Sequence, residues 1–142
     1  MSKNLIQITK LNKEFKNNKS TIKVLNNINL NFESGKLIAL TGPSGSGKST
    51  FLHLLALLDK PTKGEIVLLG KKTANISEEQ KNLTIMNNIS IIFQNNNLLS
   101  DFTSLENVAI PLIIRGNDYN SSLKKAGKIL SSVNLVHRLN HF

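Results

Sequence analysis

The segment of this sequence with the clearest chemistry is Gly42-Pro43-Ser44-Gly45-Ser46-Gly47-Lys48-Ser49-Thr50. Gly42, a gap of four residues, then Gly47-Lys48-Ser49 fits the phosphate-loop pattern in full. Glycines let consecutive backbone N–H groups turn inward around an anion. A helix that begins in the loop adds unpaired N–H donors and the positive end of its dipole. Lys48 supplies a mobile positive charge for β- and γ-phosphates. The Ser49 hydroxyl supplies an oxygen ligand for Mg2+, which takes few protein ligands and keeps water. A plain Gly/Ser turn is the bland alternative. The context favours the anion reading: an apolar, strand-like run Leu37–Leu40 leads in, and an apolar helix from Lys48 to about Leu58 leads out.

Other candidates are weaker. Leu54 to Asp59 looks like an apolar strand ending in a magnesium-binding carboxylate. It lies on the helix that starts at Lys48, and Lys60 stands where a catalytic Glu would be, so Asp59 is expected to be a solvated helix-end residue. No other apolar run ends in Asp or Glu. Phe15, an aromatic among charges, could stack on a base or anchor an ordinary surface. Gln94 follows a strand-like run and could reach a metal or a water, or simply cap a loop. His137 and His141 are spaced i, i+4 without a third ligand, so a solvated pair is expected.

The elements around these residues follow from patterning. Leu5–Thr9 and Ile28–Phe32 read as strands, and Leu37–Leu40 as a strand buried on both faces. The helix from Lys48 is apolar nearly all round, and is expected to be buried. Glu65–Leu69 reads as a strand ended by Gly70, and Ser77-Glu78-Glu79-Gln80 as a helix start. Ser90–Phe93 is strand-like. Thr103 or Ser104 caps a helix with Pro111 inside it or ending it. Tyr119–Val133 carries the apolar spacing of a surface helix. Strands early and helices late place a β subdomain and phosphate-binding core over about 1–95, and a helical segment over about 96–142.

Composition bounds the rest. The chain has 142 residues, enough for one domain, and no Cys, so it has neither a disulfide scaffold nor a thiolate metal site. The first ten residues contain no apolar signal region, and no run approaches the ~18 apolar residues of a membrane span. The net charge is +9. The 16 Lys, 20 Asn and 15 Ile all have AT-rich codons, so base composition explains much of the Lys excess. Residues 1–72 carry +8 and residues 73–142 carry +1. Only 2 of the 18 basic residues are Arg and aromatics are 5%, too few for a base-reading surface, so no direct nucleic-acid partner is expected. A Lys-rich face near anionic lipid fits the charge as well.

Together these residues resemble the ATP-binding subunits of ABC transporters. The resemblance makes Gly42 to Thr50 the Walker A loop, Phe15 the adenine-stacking aromatic, and Gln94 the Q-loop glutamine that touches Mg2+ and the attacking water. It extends along the whole chain. Leu52 to Leu55, Leu58 to Gly64, Leu98 to Val108 and Val136 to His141 resemble most closely the lipoprotein-releasing branch, LolD of LolCDE; the FtsE and MacB branches share Asn107 to Leu112 with it. The implied fold is α/β: a P-loop NTPase with a RecA-like core, an N-terminal antiparallel β subdomain and the start of an α-helical subdomain. The implied cofactors are ATP and Mg2+. The implied partners are integral membrane subunits like LolC and LolE and a second copy of the ATPase, at the cytoplasmic face of the bacterial inner membrane.

The family pattern continues past His141 into the LSGGQ-type signature, the Walker B carboxylates and the switch His, none of which precedes Phe142. The expectation is therefore a family member cut off inside its helical subdomain. Such a chain would bind nucleotide phosphates and hydrolyse ATP slowly or not at all. A degenerate, non-hydrolysing gene product is the rival reading. Leu37–Leu40 and Ile89–Phe93 would lack sheet partners, so residues 1–142 alone are expected to be marginally stable or insoluble.

Overall fold

The computed structural model describes residues 4–17 and 20–142. They form two compact units, Met1–Ile91 and Ile92–Phe142. The first unit is an antiparallel sheet with two helices: β1 (Asn4–Asn17), β2 (Ser20–Glu33), α1 (Lys48–Leu55), β3 (Lys63–Leu68), β4 (Lys71–Lys72) and α2 (Glu78–Asn88). The strand order is β2-β1-β3-β4.

β1 and β2 are each 14 residues long, far longer than the short strands expected, because four register irregularities, two of them bulges at Lys10 and Asn27, interrupt their alternation. Between the pairs Ile8–Leu30 and Leu11–Ile28, Thr9 and Lys10 stand opposite Asn29 alone. Between Leu11–Ile28 and Lys13–Leu25, Asn26 and Asn27 stand opposite Asn12 alone. Lys10 and Asn27 both adopt φ of 48°. Each bulge is held by an Asn of the facing strand. The Lys10 N–H donates to Asn29 Oδ1 at 2.8 Å, and the Asn27 N–H to Asn12 Oδ1 at 3.0 Å. Asn12 Nδ2 then donates to Lys10 O, and Asn29 Nδ2 to Asn27 O. The extra residues of each strand thus keep hydrogen-bond partners, and the ribbon bends and twists where they sit. Asn12→Ala or Asn29→Ala is expected to lower stability by about 1–2 kcal/mol. Loss of amide protection at the partner Asn27 or Lys10 N–H, read by hydrogen exchange, checks this.

The core lies between this sheet and α1. Ile8, Leu11, Leu25 and Ile66 of the sheet pack with Phe51 and Leu54 of α1. Phe32 meets Phe51 with ring centroids 6.4 Å apart. Burying Phe51 and Leu54 contributes roughly 2 kcal/mol each. The helix stops at Leu55, earlier than expected, and buries one face only: Leu52 and His53 are exposed. Glu78–Asn88 begins at Ser77, whose hydroxyl accepts from the Gln80 N–H while Gln80 Oε1 accepts from the Ser77 N–H.

Two expected strands are not formed. Leu37–Leu40 is irregular and mostly exposed, and Ser90–Phe93 is likewise outside any sheet. A buried parallel strand exists only between flanking strands, and no described strand pairs with either segment. Leu69 leaves β3 and joins Gly70 in the turn to β4.

The second unit pairs α3 (Ser104–Ile114) with α4 (Tyr119–Ser132) over buried Ala109, Ser122, Ala126 and Leu130, followed by a 3-10 turn at Val136–Arg138. Thr103 is the N-cap of α3, and Glu106 Oε2 accepts from both its N–H and its hydroxyl. Those two bonds lower the Glu106 pKa. Pro111 lies inside α3. Asn107 reaches back to the preceding loop, accepting from the Leu99 N–H and donating to Leu99 O and Phe102 O. The Ser104 N–H donates to His141 O, so the end of the chain closes the first turn of α3.

Candidate phosphate-binding site

Residues 42–47 form a loop that enters α1. Gly42, Gly45 and Gly47 have φ of 154°, 77° and 88°. Gly47 is the N-cap of α1 and no side chain caps it, so the first N–H groups of the helix face the loop without a side-chain acceptor. Gly47 is fixed from behind as well. A Cβ there would stand 3.0 Å from Val24 Cγ1 and 3.1 Å from both Leu25 Cδ2 and Val24 O. The second bulge of the β1–β2 ribbon, at Asn26 and Asn27, thus directly follows the residues on which the loop rests. A Cβ on Gly42 would come within 3.0 Å of Ser46 Oγ. Gly45, by contrast, has nothing within 4 Å of a Cβ, so its glycine is required by its φ of 77° alone.

Lys48 Nζ donates to Gly42 O at 2.8 Å and to Pro43 O at 2.6 Å. These two carbonyls hold the ammonium over the loop rather than out in solvent. Ser49 is exposed on the first turn of α1, while Thr50 is partly buried. The loop borders a groove of about 290 Å3, lined on its far side by Leu25, Ile28, Leu30 and Phe51, with no carboxylate among its lining residues. A larger groove, about 410 Å3, lies between the β3–β4 turn and α2 and shares no residue with the loop.

The structure places the other candidates as follows. Phe15 is on β1, opposite Ile22, 45% exposed, and the Lys13 ammonium lies 5.0 Å from its ring centroid. Gln94 lies in the second unit, exposed, in a bend. Asp59, just past the end of α1, keeps 37% of its side chain exposed but is also ion-paired. Its carboxylate receives Lys13 Nζ at 2.7 Å. Lys13, only 8% exposed, also donates to Lys60 O at 2.8 Å. Nothing in the residue pattern linked Lys13 to a site 46 residues away; the ribbon and the turn after α1 bring them together. His141 Nδ1 lies 3.1 Å from the Arg138 guanidinium, and no group of three metal-ligating side chains occurs among the described residues.

The Lys13 hydrogen bond holds the Asp59 carboxyl below its usual pKa, aided by the Lys60 N–H. A carboxylate with a lowered folded pKa stabilises the fold above the unfolded value, and that contribution is lost as pH falls through the folded one. Stability is therefore expected to drop below about pH 4. Asp59→Asn is expected to flatten that part of a thermal-unfolding pH profile, while lowering stability at neutral pH.

The ABC transporter family pattern matches residues 25–142, which contain the whole loop. The chain belongs to the ABC transporter family. It is 39% identical, over 99% of its length, to the lipoprotein-releasing system ATP-binding protein LolD of Rickettsia bellii. It is 43% identical over 118 residues to an ABC transporter ATP-binding protein of Methanocaldococcus jannaschii. It spans 62% and 53% of those two relatives. Among solved structures it superposes with a TM-score of 0.87 on the ATP-binding cassette MJ0796 in a dimeric post-hydrolysis state bound to ADP and phosphate. That match has 34% identity and covers 96% of this chain and 60% of that one. The antiparallel sheet, phosphate loop and helices thus fit the N-terminal part of an ABC-type P-loop domain, and the chain is similar to LolD ATP-binding proteins.

Proposed function

We propose that this chain holds the triphosphate of ATP in the 42–50 loop, as the nucleotide-binding part of an ATPase that energises a membrane transporter. The observation that carries the reading is the loop itself. Its glycines have left-handed φ, its backbone is packed on Val24–Leu25, and its Lys ammonium is held at the mouth by two carbonyls.

In this reading the N–H groups of Gly45 to Thr50 bind phosphate oxygens. Lys48 exchanges one or both of its carbonyl bonds for the β- and γ-phosphates, staying within reach because its stem is anchored on α1. Phe15, 45% exposed, would stack on adenine. The Ser49 hydroxyl, exposed at the loop, would serve Mg2+ as an oxygen donor. Mg2+ held there would neutralise phosphate charge.

Hydrolysis needs a group that orients or deprotonates water. Among the described residues no carboxylate lines the groove beside the loop, and Asp59, beyond the C-terminal end of α1, is engaged by Lys13. This 142-residue chain is therefore proposed to bind ATP and to hydrolyse it slowly or not at all. The similarity to LolD supports a transporter that releases lipoproteins from the bacterial inner membrane. LolC- and LolE-like membrane subunits and a second ATPase copy would be its partners, with the chain peripheral on the cytoplasmic face. No described helix is long and apolar enough to cross a membrane.

A phosphate-release assay beside equilibrium ATP binding tests this. Saturable binding with release at background is the expected result; rapid release would place a catalytic base within this chain. In detergent, LolC/LolE-like subunits are expected to retain the chain. Failure to retain it would remove the lipoprotein-release reading and leave the phosphate site untouched.

A further inference from the structure

We infer that Lys13 is a positioning residue for the base-stacking ring, fixing Phe15 with one face against a buried ammonium and the other face open. The inference rests on the reading of Phe15 as the adenine platform. Lys13 and Phe15 are two apart on β1 and so share a face of the ribbon. The ammonium is not free to wander: it lies 2.7 Å from each Asp59 carboxylate oxygen and 2.8 Å from Lys60 O. Its position 5.0 Å from the Phe15 centroid is within cation–π range.

The same stretch is riveted to the turn after α1. The Glu14 N–H donates to Thr62 Oγ1 at 2.9 Å, and the Thr62 N–H to Asn12 O at 2.9 Å. Residues 12–15 thus move with residues 59–62, just beyond the helix that begins at the phosphate loop. This gives the ring a defined place relative to α1 although it sits on an otherwise exposed strand end. A cation on one face also draws ring π-density toward itself, which makes the open face a better stacking partner for an electron-rich purine. Stacking on a bare ring reads shape and not base edges, so the expected preference is purine over pyrimidine, with little choice between adenine and guanine.

The test is displacement of a fluorescent ATP analogue from the 142-residue chain by ATP, CTP and inorganic tripolyphosphate. Lys13→Met keeps the apolar stem and removes the cation. It is expected to weaken ATP about three- to tenfold, the size of one cation–π contact with its ordering, and to leave tripolyphosphate unchanged. Phe15→Ala is expected to do the same, and the double variant no more than Phe15→Ala alone. Equal loss for ATP and tripolyphosphate, no loss at all, or a further loss in the Phe15→Ala background would overturn the inference, since a merely structural ion pair gives the first or last of these. If Phe15→Ala leaves ATP unchanged, the adenine platform itself is wrong and the inference goes with it. If Lys13→Met does not stay folded, Asp59→Asn, which releases the ammonium, carries the same comparison.

Discussion

Gly64→Ala is expected to cost about 4 kcal/mol or more, enough to leave little of the first unit folded. Gly64 has φ of 90°, and a Cβ there would stand 2.2 Å from Lys10 O, 2.5 Å from Lys10 C and 2.7 Å from Leu11 Cα. Those atoms are backbone, so no side-chain rotation relieves the clash. They also belong to the first bulge. Lys10 can retreat only by giving up the bond from its N–H to Asn29, and Leu11, fully buried at the centre of the core, would move with it. β1 is the strand shared by β2 and β3, so its displacement breaks both pairings. Gly35→Ala is the control. Its φ is 74° but nothing lies within 4 Å of its Cβ, so only backbone strain of about 1 kcal/mol is expected. Thermal unfolding of the two variants separates collision from strain. Equal effects would mean that the close approach of β3 to the bulge does not determine stability.

Lys48→Ala is expected to weaken ATP binding about a hundredfold or more, which is about 3 kcal/mol. The ammonium sits on Gly42 O and Pro43 O, at the mouth of a loop whose other donors are backbone N–H groups. Removing it takes away the one side-chain cation held there by two loop carbonyls and leaves those donors in place. Because Lys48 is only partly buried, the fold should tolerate the change. Unchanged unfolding with lost binding is the expected pair of results. Retained binding would reassign the site.

Much of this was legible because local chemistry determined it. The phosphate loop is a run of residue types with one well-defined use. The starts of α2 and α3 are capping boxes, Ser77 with Gln80 and Thr103 with Glu106, written within four residues of sequence. The helix read at Tyr119–Val133 forms as Tyr119–Ser132 because its apolar stripe meets α3.

What was not legible depended on distant partners. Leu37–Leu40 has the composition of a buried parallel strand, but composition does not supply the neighbouring strands, and the segment is unpaired among the described residues. β1 and β2 were read as five-residue strands because the bulges at Lys10 and Asn27 shift the alternation by one residue, and side-chain parity is the signal that marks a strand. In a sequence so rich in Asn, nothing singled out Asn12 and Asn29 as the two that hold those bulges. The pairing of Asp59 escapes the sequence for the same reason: its partner, Lys13, lies on another element.

The most direct test of the account is titration calorimetry of the 142-residue chain with ATP, inorganic tripolyphosphate and adenosine, each with Mg2+ present. If the loop of residues 42–50 is a phosphate cradle, tripolyphosphate binds saturably and displaces ATP, while adenosine binds far more weakly than either. Adenosine binding as tightly as ATP, or tripolyphosphate failing to bind at all, would contradict it.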